Sequence, residues 1–166
     1  MDFSTMLGML LSSYLTSLQI FAVTLVGSIP LGVLIAVGRL SRFRPLSLVC
    51  RLVISLLRGT PLMLQMFAVF FIPTTMMGLQ LGNGYILTAV LIAFVINYAA
   101  YFAEIYRSGI QSMPTGQYEA AEVLGYTPRQ TFFRIILPQV VKRVLPAMGN
   151  EIVTLVKDTS LAFSIG

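Results

Sequence analysis

The chain has 166 residues, of which 57% are hydrophobic and only 10% are charged. Soluble domains carry about 25% charged residues, so this composition excludes a water-soluble globule and predicts a membrane protein. His and Trp do not occur, and Cys50 is the only cysteine. These counts exclude an intramolecular disulfide and a His-based metal site. We expect no catalytic residue, metal or cofactor in this chain.

Three long apolar segments predict membrane-spanning helices. The first, at 11–38, has no charged residue and lacks the basic start and cleavage site of a signal peptide. The uncharged run 59–103 is about twice the length of one crossing, so it must fold back. It predicts spans at about 53–71 and 85–106. The turn between these spans is predicted at five residues: Pro73, Gly78, Gly82, Asn83 and Gly84.

A fourth apolar stretch occupies about 144–158. Its apolar part is shorter than the roughly 20 residues that a membrane crossing needs, and it contains Pro146, Gly149 and Glu151. This pattern predicts a short or broken membrane helix. Together the segments predict an all-α, polytopic membrane helix bundle forming a single domain over 1–166, without repeats or low-complexity tracts.

Basic residues occur in two blocks, one after the first span and one after the third. The turn between the second and third spans has none. The positive-inside rule therefore predicts that both blocks are cytoplasmic and that the N-terminus lies outside. The net charge of +5 is explained by this topology, and we expect no nucleic-acid partner. The blocks consist of Arg39, Arg42, Arg44, Arg51 and Arg58, and of Arg107, Arg129, Arg134, Lys142 and Arg143.

The cytoplasmic segment 113–139 predicts two short helices joined by a fixed bend. The first helix fits Gln117 to Leu124 and ends at Gly125, which can adopt the left-handed conformation. Helices of this length are marginal in water, so the segment needs a surface to dock on.

The second helix has a complete start signal. Thr127 is a favourable N-cap, Pro128 suits the first helical position, and Gln130 completes a capping box. We expect this helix to stop before Pro138. The alternative is an amphipathic helix lying on the lipid surface, which is compatible with four residues: Arg129, Phe132, Phe133 and Ile136.

Within this segment the motif E-A-A-x3-G-x9-I-x-L-P runs from Glu119 to Pro138. It resembles the EAA loop of ABC importer permeases in full. The whole chain is similar to the polar amino-acid uptake branch of type I importers. This similarity rests on the stretches 58–62 (RGTPL), 104–112 (EIYRSGIQS), 149–151 (GNE) and 157–161 (KDTSL).

The resemblance implies that the EAA loop forms coupling helices that seat on a dimeric cytoplasmic ABC ATPase, which binds ATP and Mg. It also implies an extracytoplasmic substrate-binding protein, a second permease copy or paralogue, and a place in the bacterial inner membrane. The chain has no Gly-Lys pair and hence no Walker A loop, so ATP hydrolysis is expected on a separate subunit. The coupling residues are expected to be Glu119, Ala120, Ala121, Gly125, Thr127, Pro128 and Arg129.

The family usually continues past the Ser-Ile-Gly at 164–166 into a last membrane helix and a short tail. Here that helix is absent from the sequence, which predicts either a truncated product or a final helix outside the sequence given.

Polar residues at membrane depth are costly and therefore predict function. Glu151, Thr154 and Asp158 share one helical face. Asn97, Tyr101 and Glu104 share another, so the two faces are predicted to line one cavity. Lys157 and Asp158 offer one cation and one anion to the ammonium and carboxylate of an amino acid, with Thr60 and Gln65 as further lining candidates.

Each of these polar groups also has a structural interpretation. Lys157 and Asp158 are also compatible with a solvated helix end, and Glu151 with a carboxylate capped by Asn150. Glu104 is more typical of an intrahelical ion pair with Arg107. At the level of function, the alternatives are an ion-coupled secondary transporter or channel, and a non-transporting membrane anchor.

Overall fold

The structure is a computed structural model that describes residues 2–79, 82 and 84–164. These ranges contain seven α-helices and no β-strand. The helices are α1 (Phe3–Arg39), α2 (Arg44–Gly59), α3 (Leu62–Phe71), α4 (Tyr85–Gln111), α5 (Thr115–Val123), α6 (Pro128–Gln130) and α7 (Leu137–Asp158). The predicted all-α class is confirmed.

Two of these helices, α1 and α4, are long and apolar enough to cross a membrane. The predicted segments 11–38 and 85–106 lie within them. The predicted second span, 53–71, is divided between α2 and α3, whose axes differ by 107°. The bend has a local cause, because Thr60 precedes Pro61 and adopts an extended conformation, with φ −118° and ψ 144°. The predicted second span therefore corresponds to a sharply bent helix pair.

Helix α4 lies at the centre and packs against α1, α2, α3 and α7. Small residues let α1 approach it closely. A Cβ added at Gly32 would lie 2.9 Å from Phe102 Cβ and 3.1 Å from the carbonyl oxygen of Ala99. On the other side, a Cβ added at Gly109 would lie 2.3 Å from Val144 Cγ1. Backbone contacts of this kind need glycine on one helix.

The predicted turn after α3 begins with a π-helical segment, Ile72–Met76. Gly78 then adopts a left-handed φ of 65°, and the Leu79 amide donates to the Pro73 carbonyl. The predicted turn residue Asn83 lies outside the described residues, as does Gly166 at the other end of the chain.

Two expectations about the last third of the chain were wrong. The helix does not stop before Pro138. A π-helical turn, Thr131–Ile136, shifts the helical register there, which leaves Pro138 in the first turn of α7, where a missing amide donor costs little.

The fourth apolar stretch is also not a short or broken helix. It forms the later part of α7, which is continuous from Leu137 to Asp158 despite the internal Pro146. Burial of Val140, Val144 and Leu155 keeps this helix together across the proline.

Candidate functional site

A cavity of about 510 Å³ lies between the α2–α3 bend, α4 and the end of α7. It joins residues that are far apart in the sequence and that include both charge signs. Its lining consists of Arg58, Gly59, Thr60, Pro61, Leu62, Asn97, Tyr98, Tyr101, Glu151, Thr154, Asp158 and Leu161.

The acidic side of the cavity comes from α7. Glu151, Thr154 and Asp158 all line it, as their shared helical face predicted. Asp158 is fixed from across the cavity, because the buried Tyr98 hydroxyl on α4 donates to Asp158 Oδ2 at 2.7 Å. Two carboxylates therefore face the same space.

The basic side of the cavity is Arg58, the residue before the α2–α3 break. Its Cζ lies 5.1 Å from the centroid of the Tyr101 ring, within the range of a cation–π contact. The sequence analysis did not select Arg58 as a site residue. Its place immediately before Gly59-Thr60-Pro61, a sequence that disfavours a continuing helix, was the available signal.

Lys157 is exposed and is not among the residues that line the cavity. Neighbouring residues of an α-helix project about 100° apart, so a side chain next to Asp158 starts in a different direction. The structure thus brings Asp158 to the cavity without Lys157.

Asn97, Gln65 and Thr60 support the bend. The end of α2 leaves carbonyl groups without helical partners. Gln65 Nε2 donates to the carbonyl oxygens of Leu57 (2.7 Å) and Thr60 (3.1 Å). Asn97 Nδ2 donates to the same Leu57 oxygen at 3.2 Å and to Gln65 Oε1 at 3.0 Å. Thr60 and Asn97 also line the cavity, whereas Gln65 does not.

Glu104 lies outside this cavity and lines a neighbouring one. It forms a hydrogen-bonded ion pair with Arg107, one turn along the same helix. This geometry matches the structural interpretation of Glu104. Tyr101 lines both cavities.

The EAA segment forms the second candidate site. Its first helix, α5, ends in a Schellman motif: the Tyr126 amide donates to the Ala121 carbonyl and the Gly125 amide to the Glu122 carbonyl. Gly125 has a φ of 77°, the left-handed conformation that its position predicted.

The next turn begins at the predicted capping box. The backbone amide of Gln130 donates to Thr127 Oγ1 at 3.3 Å, and the backbone amide of Thr127 donates to Gln130 Oε1 at 3.0 Å. Pro128 occupies the first turn of α6, as predicted. The bend between the helices is therefore fixed by hydrogen bonds within the segment itself.

Expected coupling residues differ in their accessibility. Glu119 and Ala120 on α5 are exposed, whereas Ala121 is buried. The most exposed apolar side chains of the segment are Val123 (88%) and Leu124 (73%). Sequence analysis missed these two, although apolar residues beside Gly125 were a visible signal. The later coupling residues, Thr127, Pro128 and Arg129, are also exposed.

Hydrogen bonds join the segment to the membrane helices. Gln139 Nε2 on α7 donates to Gln117 Oε1 on α5 at 2.9 Å. Arg143 Nη1 donates to the Ser112 carbonyl at 2.6 Å, at the C-terminal end of α4. These bonds connect α5 to α7, and α7 to the end of α4.

The two long apolar helices and the charged cavity define the class as a helical membrane protein. Residues 28–166 match the family described as "Binding-protein-dependent transport system inner membrane component". The chain belongs to this family.

Two relatives and one solved structure show what the chain is similar to. It is 40% identical over 136 residues to the L-cystine transport system permease protein TcyB of Bacillus subtilis (strain 168), covering 81% of this chain and 56% of TcyB. It is 33% identical over 169 residues to the arginine transport system permease protein ArtQ of the same organism, covering 100% of this chain and 76% of ArtQ.

The solved structure, "Crystal structure of an amino acid ABC transporter with histidines", has a TM-score of 0.86 and 32% identity. The match covers 100% of this chain and 77% of that one. The chain thus spans little more than half of TcyB and about three quarters of the other two proteins.

Proposed function

We propose that this chain is the membrane subunit of an ATP-driven ABC importer and that it translocates polar amino acids through the cavity lined by Arg58, Glu151 and Asp158. The observation that carries the proposal is the opposed charge across this cavity, with one guanidinium on α2 and two carboxylates on α7. The names of the relatives TcyB and ArtQ support the substrate class.

The charges fit the part that all amino acids share. A zwitterion leaving water needs an anionic partner for its ammonium group and a cationic partner for its carboxylate. Asp158 and Glu151 supply the first, and Arg58 supplies the second with a planar fork suited to carboxylates. Lys157 is the second candidate cation, since its long side chain starts one residue from Asp158.

Asn97, Gln65 and Thr60 act in this proposal by holding the α2–α3 bend that carries Arg58. Their side-chain bonds cap the end of α2. Irregular backbone is tolerated at membrane depth where it lines a cavity. Thr60 and Asn97 also reach the cavity and can contact substrate there.

The coupling segment is proposed to dock on a dimeric cytoplasmic ABC ATPase, which binds ATP and Mg and hydrolyses the ATP. Support comes from the exposed apolar pair Val123 and Leu124 on a bend fixed by its own hydrogen bonds. Glu119, Ala120 and the exposed residues 127–129 would form the rest of this contact, and Ala121 would keep α5 packed beneath it.

The remaining partners follow from the same proposal. An extracytoplasmic binding protein delivers the amino acid, and the N-terminus lies on its side of the membrane. In the part of the chain that the structure describes, two spanning helices and one bent pair do not enclose a pathway, so a second copy or a paralogue is proposed to complete the pore.

Reconstitution with the ATPase and the binding protein tests the cavity. Asp158→Asn should lower uptake at least tenfold, while Asp2→Asn, the same change on an exposed residue at the N-terminus, should leave it within twofold. Arg58→Gln and Lys157→Gln, compared in one assay, show which cation binds the carboxylate through a rise in KM. Wild-type uptake by Asp158→Asn would refute the cavity assignment.

The energy source separates the proposal from its rivals. Uptake should require ATP and the ATPase, and a proton or sodium gradient alone should not sustain it. Gradient-driven uptake by this chain without the ATPase would establish a secondary transporter or channel instead. Failure of every reconstituted complex to move amino acids, with assembly intact, would favour a membrane anchor.

A further inference from the structure

A second cavity, of about 550 Å³, adjoins the proposed substrate site and is strongly basic. Four arginines line it: Arg39, Arg51, Arg58 and Arg107. Among the described residues, Glu104 is the one carboxylate in its lining, and Arg107 already pairs with it. The other three guanidinium groups therefore face the cavity without an acidic partner in its wall, and such a space favours an anionic ligand.

The cavity lies at the end of a spanning helix. Arg39 is the last residue of α1. Its Nη1 donates to Ser47 Oγ at 3.0 Å, and the Ser47 hydroxyl donates to the Arg39 carbonyl at 2.8 Å. These two bonds hold Arg39 at the turn into α2. Since α1 crosses the bilayer, its end lies near the lipid headgroups.

Helix α2 adds an apolar surface beside these charges. Arg51 and Arg58 are seven residues apart and share one face. On the flank of that face, the apolar side chains of Leu48, Leu52 and Leu56 are exposed. A small free anion would use only the arginines, whereas a ligand with a phosphate head and apolar chains would contact both surfaces.

We propose that this basic cavity binds the phosphate headgroup of an anionic phospholipid, with its acyl chains along the exposed leucines of α2. Guanidinium groups bind phosphate through paired hydrogen bonds, and basic pockets between membrane helices are suited to anionic headgroups. The site goes beyond the proposed transport function; because it shares Arg58 with the substrate cavity, its test changes only Arg39 and Arg51.

The test is a native mass-spectrometry titration of the full chain, together with any subunits that co-purify, using dioleoyl phosphatidylglycerol and the matching phosphatidylcholine. Arg51→Gln should weaken phosphatidylglycerol binding about fivefold, and the double variant Arg39→Gln/Arg51→Gln should weaken it about thirtyfold. The reason is that each arginine near a headgroup contributes a similar increment of binding free energy. Binding of phosphatidylcholine should not change.

The matched control is Arg42→Gln/Arg134→Gln, which removes the same charge from two exposed arginines outside the cavity. It should change phosphatidylglycerol binding less than threefold. An equal loss in the control would show attraction by net charge alone and would overturn the site. Phosphatidylglycerol displaced by inorganic phosphate or by an amino acid at millimolar concentration would identify a free-anion or transport site instead.

A second measurement uses the unmodified protein, so that it does not depend on whether the variants fold. Phosphatidylglycerol with a photoactivatable acyl chain should label the α2 peptide that contains Leu48 and Leu52. The same probe built on phosphatidylcholine should label this peptide at least fivefold less. Equal labelling by both lipids would contradict a headgroup site.

Discussion

The EAA segment and the charged cavity show two different ways of building a site. The EAA bend is fixed by bonds between near neighbours, such as the amide of Gln130 and the hydroxyl of Thr127, three residues apart. The cavity depends on bonds between distant residues, such as Tyr98 and Asp158, which are 60 residues apart. A local site keeps its shape when the helices move, whereas the cavity changes with their packing.

The largest expected effect comes from breaking a long-range contact. Gly109→Ala places a Cβ against Val144, so it should lower the free energy of unfolding by about 1 to 3 kcal/mol. Gly149→Ala is the matched control, because nothing lies within 4 Å of a Cβ added there. Thermal unfolding in detergent measures both. Equal melting temperatures of the two variants would show that α4 and α7 do not pack this closely.

The next effect concerns the bend that carries Arg58. Asn97→Ala removes the side-chain donor to the Leu57 carbonyl and to Gln65, which should cost about 2 kcal/mol. It should also raise the KM for uptake, because the α2–α3 bend loses one of its two amide supports. Asn150→Ala, at an exposed position of α7, serves as the control. An unchanged KM together with full stability would mean that Asn97 does not support the bend.

A smaller effect is expected in the EAA bend. Gly125→Ala forces an L side chain into the left-handed region, at a cost of about 1 to 2 kcal/mol. The penalty should be confined to the bend, so uptake should fall while substrate binding in the cavity stays unchanged. Gly116→Ala, on the same segment and with open space around it, is the control. Hydrogen exchange of residues 115–130 locates the change, and loss of protection throughout α4 would contradict a local effect.

The smallest expected effect comes from removing the N-cap of α6, Thr127. Thr127→Ala should destabilise the bend by about 1 kcal/mol, because the amide of Gln130 loses its acceptor. Thr127→Ser keeps the hydroxyl and should restore most of this loss. Hydrogen exchange at Gln130 and Thr131 reports the difference. Identical exchange in both variants would show that the capping box contributes nothing.

Both turn features predicted for the EAA segment are present in the structure. The left-handed Gly125 and the capping box at Thr127 were predicted, because each depends on a few neighbouring residues. The prediction that the helix stops before Pro138 was wrong. Proline usually ends a helix, and nothing in the sequence shows that a preceding π-helical turn will change the helical register.

The sequence alone determined the membrane class, the all-α fold, the EAA bend and the acidic face of α7, because composition, turn chemistry and helical periodicity are local properties. Only the tertiary structure decided that Arg58 reaches the cavity while Lys157 does not, and that Asn97 and Gln65 cap a broken helix. The physical reason is that these outcomes depend on how α2, α4 and α7 pack, and packing joins residues separated by 32 to 60 positions.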